Sequence, residues 1–417
     1  MSVYTSQVKT YFYDPIHHTN KRSEFKLDVE KLYLPNFRLC NVGCKITNQG
    51  SDFNYNKACG VKSLVKNIYL MDGNVIIDSL VKANRWLAFK SFQTTNDNNT
   101  DFKQKDVIGM GYVFQKNATT DVNGLIREFD LTEAIVSSSD ETPTGWLAVQ
   151  EMLSFLSSVQ YVSTSLFKNL RLVIEWESDV SVVLTGTLSG QTISSVVQPL
   201  LVVDCIEDEK VNMEYLKSWK GSEWVAIEND TTVLQANPEI GGTAPLAGST
   251  QTKKFKFNNF NNKTVSAILL QKEGSTTVSD FYKKLGSEAT VGEEIMVRVN
   301  NKNILPQSVI GANEKLALLN DSFGVMNTHT GCNSLNLYSE TTIMEHPVQR
   351  QQHQAYMGLL LPTIEKVSAL EIVYSRVKSQ LTNGTNQYDQ RLNLNLFGKV
   401  SKAVVISKPG EYSVVYL

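Results

Sequence analysis

The chain has 417 residues, more than the ~250–300 at which a single core usually stops growing, so it is expected to form two domains. Its 40 Lys and Arg residues nearly balance its 42 Asp and Glu residues, and the net charge of -2 excludes a protein that binds polyanions through its overall charge. Charged residues are 20% of the chain, below the usual ~25%, which is typical of a surface that meets other protein.

The sequence contains no signal for secretion or for a membrane. Residues 1–10 include neither the apolar stretch nor the cleavage site of a signal peptide, and no stretch reaches the ~18 apolar residues of a membrane span. The odd number of cysteines favours free thiols over a disulfide framework. They are Cys40, Cys44, Cys59, Cys205 and Cys332. We therefore expect a protein made in the cytosol, without a transmembrane segment and with free thiols.

The first 25 residues show neither strand alternation nor a helical period. They are nevertheless rich in aromatic and basic side chains, namely Tyr4, Tyr11, Phe12, Tyr13, His17, His18, Lys21 and Arg22. Buried aromatic rings contribute ~1.5–3 kcal/mol each, which can offset the ordering of an extended segment. Residues 1–28 are therefore predicted to be an N-terminal arm that these side chains anchor, the alternative being a disordered tail.

After the arm, most of the first half has the two-residue period of β-strands. Strands are predicted at Leu39–Thr47, Leu64–Gly73, Asn74–Asp78, Ile108–Gln115, Leu170–Trp176, Val182–Leu188 and Val196–Asp204. Helices are few. A short helix is predicted within Asp78–Phe92, and a longer one at Gly145–Val159, where apolar residues recur three or four apart.

Two tryptophans and two glutamates of the first half have expected environments. Trp146 and Trp176 are expected to anchor the core. Glu175 and Glu177 lie on the opposite strand face from Trp176, so we expect them to be solvated or paired at an interface.

The second half has the same strand-rich character. Strands are predicted at Trp224–Glu228, Phe255–Phe257, Ile295–Val299, Leu392–Leu396, Val404–Ile406 and Ser413–Leu417. Long exposed loops are predicted at Asn96–Asp106, Ser137–Thr144, Ala236–Thr252 and Asn300–Glu340, which contain most of the turn-forming residues.

Two passages recur in the same order about 200 residues apart. The apolar run Leu64–Gly73 resembles Thr264–Gly274, and Leu170–Ser178 resembles Leu370–Ser375. A shared fold fixes the spacing between elements even when side chains have diverged, so the repeat indicates two domains of similar topology. Chance similarity between strand-rich sequences is the alternative.

Many short strands joined by long loops, twice over, favour two β-sandwiches over parallel strand–helix–strand units. The acidic stretch Cys205–Lys210 follows a predicted strand and is the candidate linker. The predicted domains are therefore residues 29–206 and residues 207–417, each all-β with few short helices.

No motif in the sequence supports catalysis. Gly109 and Gly111 begin a dinucleotide-binding fingerprint, but Phe114 occupies the place of its third glycine. The sequence contains no P-loop and no nucleophile elbow, and its five histidines match neither of the usual zinc-binding spacings. We therefore expect no enzyme activity, no cofactor and no metal site.

Three features together carry a resemblance to a known family. They are the tandem halves, the run Leu34–Leu39 that leads into Val65–Gly73, and the closing strand Leu170–Glu177. Together they resemble the double jelly-roll major capsid proteins of eukaryotic double-stranded DNA viruses. The short length is most similar to the Polinton-like virus and virophage branch. The resemblance covers nearly the whole chain and implies an all-β fold of two tandem eight-stranded antiparallel jelly rolls.

The same resemblance implies a structural role without catalysis. It implies a homotrimer of pseudo-hexagonal outline that tiles an icosahedral shell around a double-stranded DNA genome, after synthesis in the host cytoplasm. The implied partners are neighbouring capsid trimers and penton and minor capsid proteins, with no sequence-specific nucleic acid. The arm is expected to touch neighbouring subunits, so deleting residues 1–25 is expected to leave both sandwiches folded and to weaken shell assembly.

A second function remains open from the residues alone. Two β-sandwiches with long loops are also typical of a viral penton or fibre protein, or of another adhesin that binds a receptor or glycan through its loops. An enzyme built on a jelly-roll frame is disfavoured because the sequence lacks the histidine pattern of a metal site.

Overall fold

The computed structural model describes residues 8–46, 53–55, 60–94, 144–186, 190, 192–220, 225–236, 239–240, 250–274, 293–310, 312–324, 356–362, 366–377 and 392–417. The chain forms two compact units. The first consists of Met1–Ser91, Thr100–Thr232 and Lys402–Leu417, and the second of Phe92–Asn99 and Val233–Ser401. The sequence-based domains 1–28, 29–206 and 207–417 stay a prediction.

The chain up to residue 220 is built mainly from strands. They are β1 Val8–Tyr13, β2 His17–His18, β3 Arg22–Lys26, β4 Leu32–Tyr33, β5 Arg38–Val42, β6 Cys44–Ile46, β7 Phe53–Tyr55, β8 Val65–Asp72, β9 Val75–Val81, β10 Gly145–Ala148, β11 Val162–Ser163, β12 Leu170–Trp176, β13 Leu184–Gly186, β14 Ile193–Val196 and β15 Leu200–Ile206. The α-helices are α1 Ala83–Thr94, α2 Ser154–Ser158, α3 Val180–Val183 and α4 Glu209–Lys220. Short 3-10 helices span Gly60–Leu64, Val149–Glu151 and Thr164–Leu166.

These strands form two main antiparallel sheets. One has the order β10-β5-β15-β4-β11, with β1 added beside β15, and the other has the order β2-β3-β12-β8-β9. Smaller ladders join β13 to β7 and β14 to β6. Each main sheet buries apolar residues such as Leu39 and Val203 in the first and Phe25, Leu70 and Leu172 in the second, as the two layers of a sandwich do.

The chain from residue 225 continues with strands. They are β16 Val225–Ala236, β17 Glu239–Ile240, β18 Thr250–Lys256, β19 Val265–Gly274, β20 Glu293–Val299, β21 Lys302–Asn303, β22 Tyr356–Leu360, β23 Leu370–Val377, β24 Leu392–Lys408 and β25 Glu411–Tyr416. A 3-10 helix spans Asn258–Phe260, and α5 spans Ala312–Phe323. One sheet has the order β16-β24-β19-β22, with β17 and β25 also paired to β24, and the other has the order β18-β23-β20-β21.

The two units repeat the same arrangement of three strands. β12 lies between β3 and β8, and β23 lies between β18 and β20. The registers match, because Arg171 pairs with Lys26 as Glu371 pairs with Lys256. The same backbone hydrogen bond lies at the end of both strand pairs. In the first unit the Leu27 N–H donates to Leu170 O at 3.1 Å, and in the second the Phe257 N–H donates to Leu370 O at 2.9 Å. The duplication therefore extends to individual backbone hydrogen bonds.

In both units a side chain at, or directly after, the last residue of the neighbouring strand caps the start of the central strand. In the first, the Asp72 carboxylate accepts hydrogen bonds from the backbone N–H groups of Lys168 and Asn169. In the second, Asn300 Oδ1 accepts from the N–H groups of Ser368 and Ala369, at 2.7 and 3.2 Å. The two caps satisfy the same pair of amides with different residue types, which is why the sequences show no common motif there.

The structure corrects one half of the repeat that the sequence predicts. Leu170–Ser178 and Leu370–Ser375 do contain equivalent strands, β12 and β23. Leu64–Gly73 and Thr264–Gly274 do not, because β8 pairs with β12 whereas β19 lies in the other sheet, between β24 and β22. The counterpart of β8 is β20.

Two predicted elements differ from the structure. The helix predicted at Gly145–Val159 is correct only in its second half, where Val149–Glu151 forms a 3-10 helix and Ser154–Ser158 forms α2. Gly145–Ala148 instead pairs with β5 as a strand, so Leu147 is buried and Trp146 is 38% exposed rather than a core anchor. The strand predicted at Val182–Leu188 begins as α3 instead, because the Asp179 side chain caps that helix by accepting from the Ser181 N–H at 3.0 Å.

The loop predicted at Asn300–Glu340 contains the helix α5. The other three predicted loops lie largely outside the described residues.

Trp176 is buried, as predicted, and its Nε1–H donates to Ser23 Oγ at 2.9 Å. Glu177 is neither solvated nor at an interface. Its carboxylate is buried and accepts from Arg85 Nη1 and Asn84 Nδ2, each at 3.1 Å. A buried carboxylate requires such partners because desolvation alone would destabilise its charged form.

The tight approach of β24 to the 3-10 helix Asn258–Phe260 generates a prediction. Gly398 pairs with Ile268, and a Cβ atom at Gly398 would lie 2.3 Å from the fully buried ring of Phe260. Gly398→Ala is therefore expected to lower the free energy of unfolding by about 1–3 kcal/mol, measured by denaturant titration.

The matched control is the double variant Gly398→Ala/Phe260→Leu, in which the smaller side chain opens the contested space. The two substitutions together should cost less than the sum of their separate effects. An unchanged unfolding midpoint for Gly398→Ala would contradict the close packing at this position.

Candidate assembly surface

The sequence-predicted anchors of the N-terminal arm lie in several elements of the first unit. Tyr4 lies outside the described residues. Tyr11, Phe12 and Tyr13 belong to β1, His17 and His18 form β2, Lys21 lies in the following turn and Arg22 begins β3. The described part of the predicted arm is therefore paired into both main sheets of the first unit.

β1 lies at the edge of its sheet and pairs only with β15 among the described strands. Its register runs from Val8 opposite Ile206 to Tyr13 opposite Leu201. Alternation places Tyr11 and Tyr13 on one face of the strand and Val8 and Phe12 on the other. The two tyrosine rings stack at a centroid distance of 6.2 Å.

Tyr13 joins β1 to the loop that follows β3 and to β4. Its hydroxyl lies 2.7 Å from the Tyr33 hydroxyl and donates to Asp28 Oδ2 at 2.8 Å. Burial, followed by these hydrogen bonds, raises the pKa of Tyr13 above its usual range. The phenol therefore stays neutral at physiological pH and acts as a fixed hydrogen-bond donor.

Tyr11 joins β1 to the segment that follows β15. Its hydroxyl donates to the Glu207 carboxylate, and this bond raises the pKa of Tyr11 to about 12. Lys9 forms an ion pair with the same carboxylate. The hydrogen bonds from Lys9 and Tyr11 hold the pKa of Glu207 below its usual value. The stretch Cys205–Lys210, predicted as a linker, therefore contains an anchor for β1.

The opposite face of β1 has a second acidic anchor, Asp204. Thr10 Oγ1 donates to Asp204 Oδ1 at 2.6 Å, while Asn36 Nδ2 and Arg38 Nη2 reach Oδ2 at 2.7 and 2.8 Å. Burial acts to raise the pKa of Asp204, but the hydrogen bonds from Thr10 and Asn36 and the charge of Arg38 lower it overall. Polar contacts thus hold β1 on both faces.

β2 and the turn that follows it are held against β14 by hydrogen bonds. His18 contacts Ser23 Oγ through Nδ1 at 2.8 Å and Val196 O through Nε2 at 3.1 Å. Asn20 Nδ2 donates to Ser194 O at 2.7 Å, and its Oδ1 accepts from the Val196 N–H. Residues 17–20 are therefore ordered by specific contacts rather than by burial of rings.

β3 is an integral strand of the first unit. The Arg22 and Arg171 side chains both reach the carboxylate of Glu24, and Phe25 is fully buried. The expectation that residues 1–25 can be deleted without harm to the fold is therefore wrong, because the deletion would remove a strand paired to β12 and open the core.

Three apolar residues near the N-terminus nevertheless face solvent: Val8, Phe12 and Ile16 are 51%, 68% and 61% exposed. We call these residues the N-terminal apolar set. Sequence reasoning selected Phe12 for its ring but missed Val8 and Ile16. The exposure of Val8 depends on the register of β1 with β15, and that of Ile16 on the bend between β1 and β2, neither of which the sequence shows. Together with the open edge of β1, the set forms the candidate assembly surface.

The described residues show no arrangement suited to catalysis by a metal. No group of three or more His, Cys, Asp or Glu side chains in the described ranges is placed to hold a metal ion. Cys40, Cys44 and Cys205 form no disulfide bond among the described residues, and the other two cysteines lie outside that part of the chain. Within that part, no helix is long and apolar enough to cross a membrane.

By sequence, the chain matches no protein-family model and no curated protein. Solved structures of viral proteins do match. PBCV-1 VP54, fitted into a reconstruction of the virophage Sputnik, is 11% identical with a TM-score of 0.57, over 100% of this chain and 99% of that one. A chain of the Sputnik virophage is 10% identical with a TM-score of 0.55, over 100% and 90%. The mavirus major capsid protein is 8% identical with a TM-score of 0.52, over 99% and 90%.

At such low identities the likeness shows a shared fold. The chain has the all-β fold that its sequence predicts and the tandem jelly-roll arrangement that the resemblance implies, and the likeness extends over its whole length. The resemblance noted in the sequence is confirmed at the level of the fold.

Acid is expected to loosen β1 before β12, the central strand of the other main sheet. The ionised forms of Glu207 and Asp204 stabilise β1 above their unfolded pKa values of ~4, and this contribution is lost as the pH falls through the lowered folded values. Amide hydrogen exchange, corrected for its intrinsic pH dependence, should show protection of residues 8–13 falling below ~pH 4, ahead of β12.

Glu207→Gln should reduce this pH dependence, whereas Glu209→Gln, which removes an exposed carboxylate on α4, should keep it. Protection of residues 8–13 that follows β12 at every pH would contradict the assigned anchors.

Proposed function

We propose that the chain is the structural subunit of an icosahedral viral shell, the major capsid protein around a double-stranded DNA genome. The observation that carries the proposal is the tandem jelly-roll fold, which matches that of the mavirus major capsid protein over 99% of this chain. The proposed subunit acts by assembly and not by catalysis. Its proposed location is the virion, after synthesis in the host cytoplasm.

The fold suits this task for a geometric reason. Two similar sandwiches in each chain allow three chains to present six similar wedges, so a closed three-fold ring fits the sites of a hexagonal lattice. Pairing most strands within two-layer sandwiches limits the number of open sheet edges. The proposed assembly is therefore a homotrimer of pseudo-hexagonal outline, in contact with neighbouring trimers.

We assign the N-terminal apolar set to contacts outside the trimer. Phe12 is two-thirds exposed on a strand that polar contacts hold on both faces, so it is presented on a fixed support. Exposed apolar side chains on a rigid support are typical of an interface with another protein. The proposed occupants are neighbouring trimers, with penton and minor capsid proteins as further partners.

The alternative of a penton, fibre or other adhesin has less support. The comparisons favour major capsid proteins, and no feature of the described residues specifically favours receptor or glycan binding.

Purified chain is expected to be a trimer at micromolar concentration, because a subunit of a permanent shell needs a large interface of over ~2,000 Å². Mass photometry measures this directly. A predominant mass near 46.6 kDa, that of a single chain, would contradict the proposal.

Phe12→Ser is expected to weaken assembly of trimers into shells at least tenfold while leaving the trimer and its Tm unchanged, because the side chain is exposed within the subunit. Light scattering and electron microscopy measure assembly. Ile310→Ser, an equally polar change at an exposed apolar residue of the second unit, is the matched control. Equal effects of the two variants would contradict the assignment of Phe12.

A further inference from the structure

Residues 402–417 form a hairpin that belongs to the first unit although it follows the second unit in the chain. β24 begins among strands of the second unit, and from Lys402 onward its residues group with the first. They pair antiparallel with β25, from Lys402 opposite Tyr416 to Lys408 opposite Glu411. Gly410 makes the turn with a φ of +75°, a conformation that favours glycine. We call these residues the closing hairpin.

A buried ion pair fixes the closing hairpin to β9. Lys402 Nζ lies 2.8 Å from Asp78 Oδ1, and the two side chains are 2% and 1% exposed. Asp78 also accepts from the N–H groups of Phe155 and Ser79, at 2.8 and 3.0 Å. The carboxylate therefore connects β9, α2 and the closing hairpin. Without Lys402 this buried carboxylate would have no ion-pair partner among the described residues, and an unpaired buried charge is strongly destabilising.

The tip of the closing hairpin makes independent contacts with the same unit. The Tyr412 ring packs edge-on against Phe167 at 5.4 Å, and the Gly410 N–H donates to Leu166 O at 2.9 Å. Burial, together with the neighbouring Asp72, raises the pKa of Tyr412 above its usual range, so the phenol stays neutral. Asp72 is the residue that caps the central strand β12. The closing hairpin thus lies beside the cap at the start of β12.

Apolar burial completes the attachment. Ala403, Val404 and Ile406 are buried. Beside the tip lies a cleft of about 540 Å³, whose lining includes Val75, Lys168 and Tyr412. The closing hairpin is therefore held by a buried charge pair, an aromatic contact, a backbone bond and apolar packing.

We propose that the closing hairpin is a latch that completes the first unit only after the second unit has been synthesised. Before residues 402–417 leave the ribosome, Asp78 has no lysine partner, and Phe167 and Leu166 O lack their contacts with the hairpin. If synthesis stops within or just after the second unit, the chain lacks the closing hairpin and its first unit is incomplete. This inference does not rest on the proposed function and holds for any role of the fold.

The test uses the full chain and measures hydrogen exchange in both units. Lys402→Met keeps the length of the side chain and removes its charge. It should raise exchange at least tenfold in residues 75–81 and 154–168, leave β23 unchanged and lower the Tm by roughly 10 °C. Lys408→Met is the matched control, because this lysine of the same strand is 64% exposed and pairs with Glu411. Equal exchange in the two variants would overturn the latch.

A rescue variant and a truncated chain complete the test. Asp78→Leu/Lys402→Met removes both charges and should recover much of the lost protection, because an apolar pair needs no buried cation. A chain that stops after Ser401 should lose protection in residues 75–81 and 154–168 and keep it in β20 and β23. Wild-type protection of the first unit in this chain, or equal loss in both units, would overturn the proposal.

Discussion

Backbone pairing on both sides of one central strand fixes the architecture of each unit. β12 is paired along its length with β3 and β8, and β23 with β18 and β20. A slip of one residue would turn the buried Leu172 to the opposite face, so the register is strongly specified. The caps by Asp72 and Asn300 fix the point at which each central strand begins. The N-terminal strands and the closing hairpin are placed relative to this register.

The edge strand β1 connects the fold with the proposed function. β1 contributes little apolar burial and is held by Thr10, Tyr11 and Tyr13 through hydrogen bonds to acidic groups. An open edge with exposed apolar side chains is a liability in an isolated protein and an advantage in one whose edges are covered on assembly. Hydrogen bonds from polar side chains therefore hold β1 in the subunit, whereas its exposed apolar side chains are available for contact with a partner.

The sequence predicted those strands in which apolar and polar residues alternate, because the alternation shows which face is buried. Leu170–Trp176 alternates clearly, and it is a central strand with an equivalent in the second unit. The match of β8 to β19 failed because strands of different sheets can share an apolar sequence pattern. β8 alternates between buried and exposed or half-buried residues, whereas residues 267–271 of β19 are buried in succession. The role of Lys402 was not predictable, since its partner Asp78 is distant in the chain. The exposure of Val8 depends on the register of β1 with β15, and that of Ile16 on the bend after β1, so neither could be predicted from the sequence.

The central claim is that this fold serves as a shell subunit with two similar lobes per chain. An electron cryomicroscopy reconstruction of the purified assembly, at a resolution that separates the two units, tests it most directly. The account predicts a three-fold particle with six lobes in a pseudo-hexagonal outline, two lobes from each chain. An elongated spike, or a single chain with no three-fold partner, would contradict it.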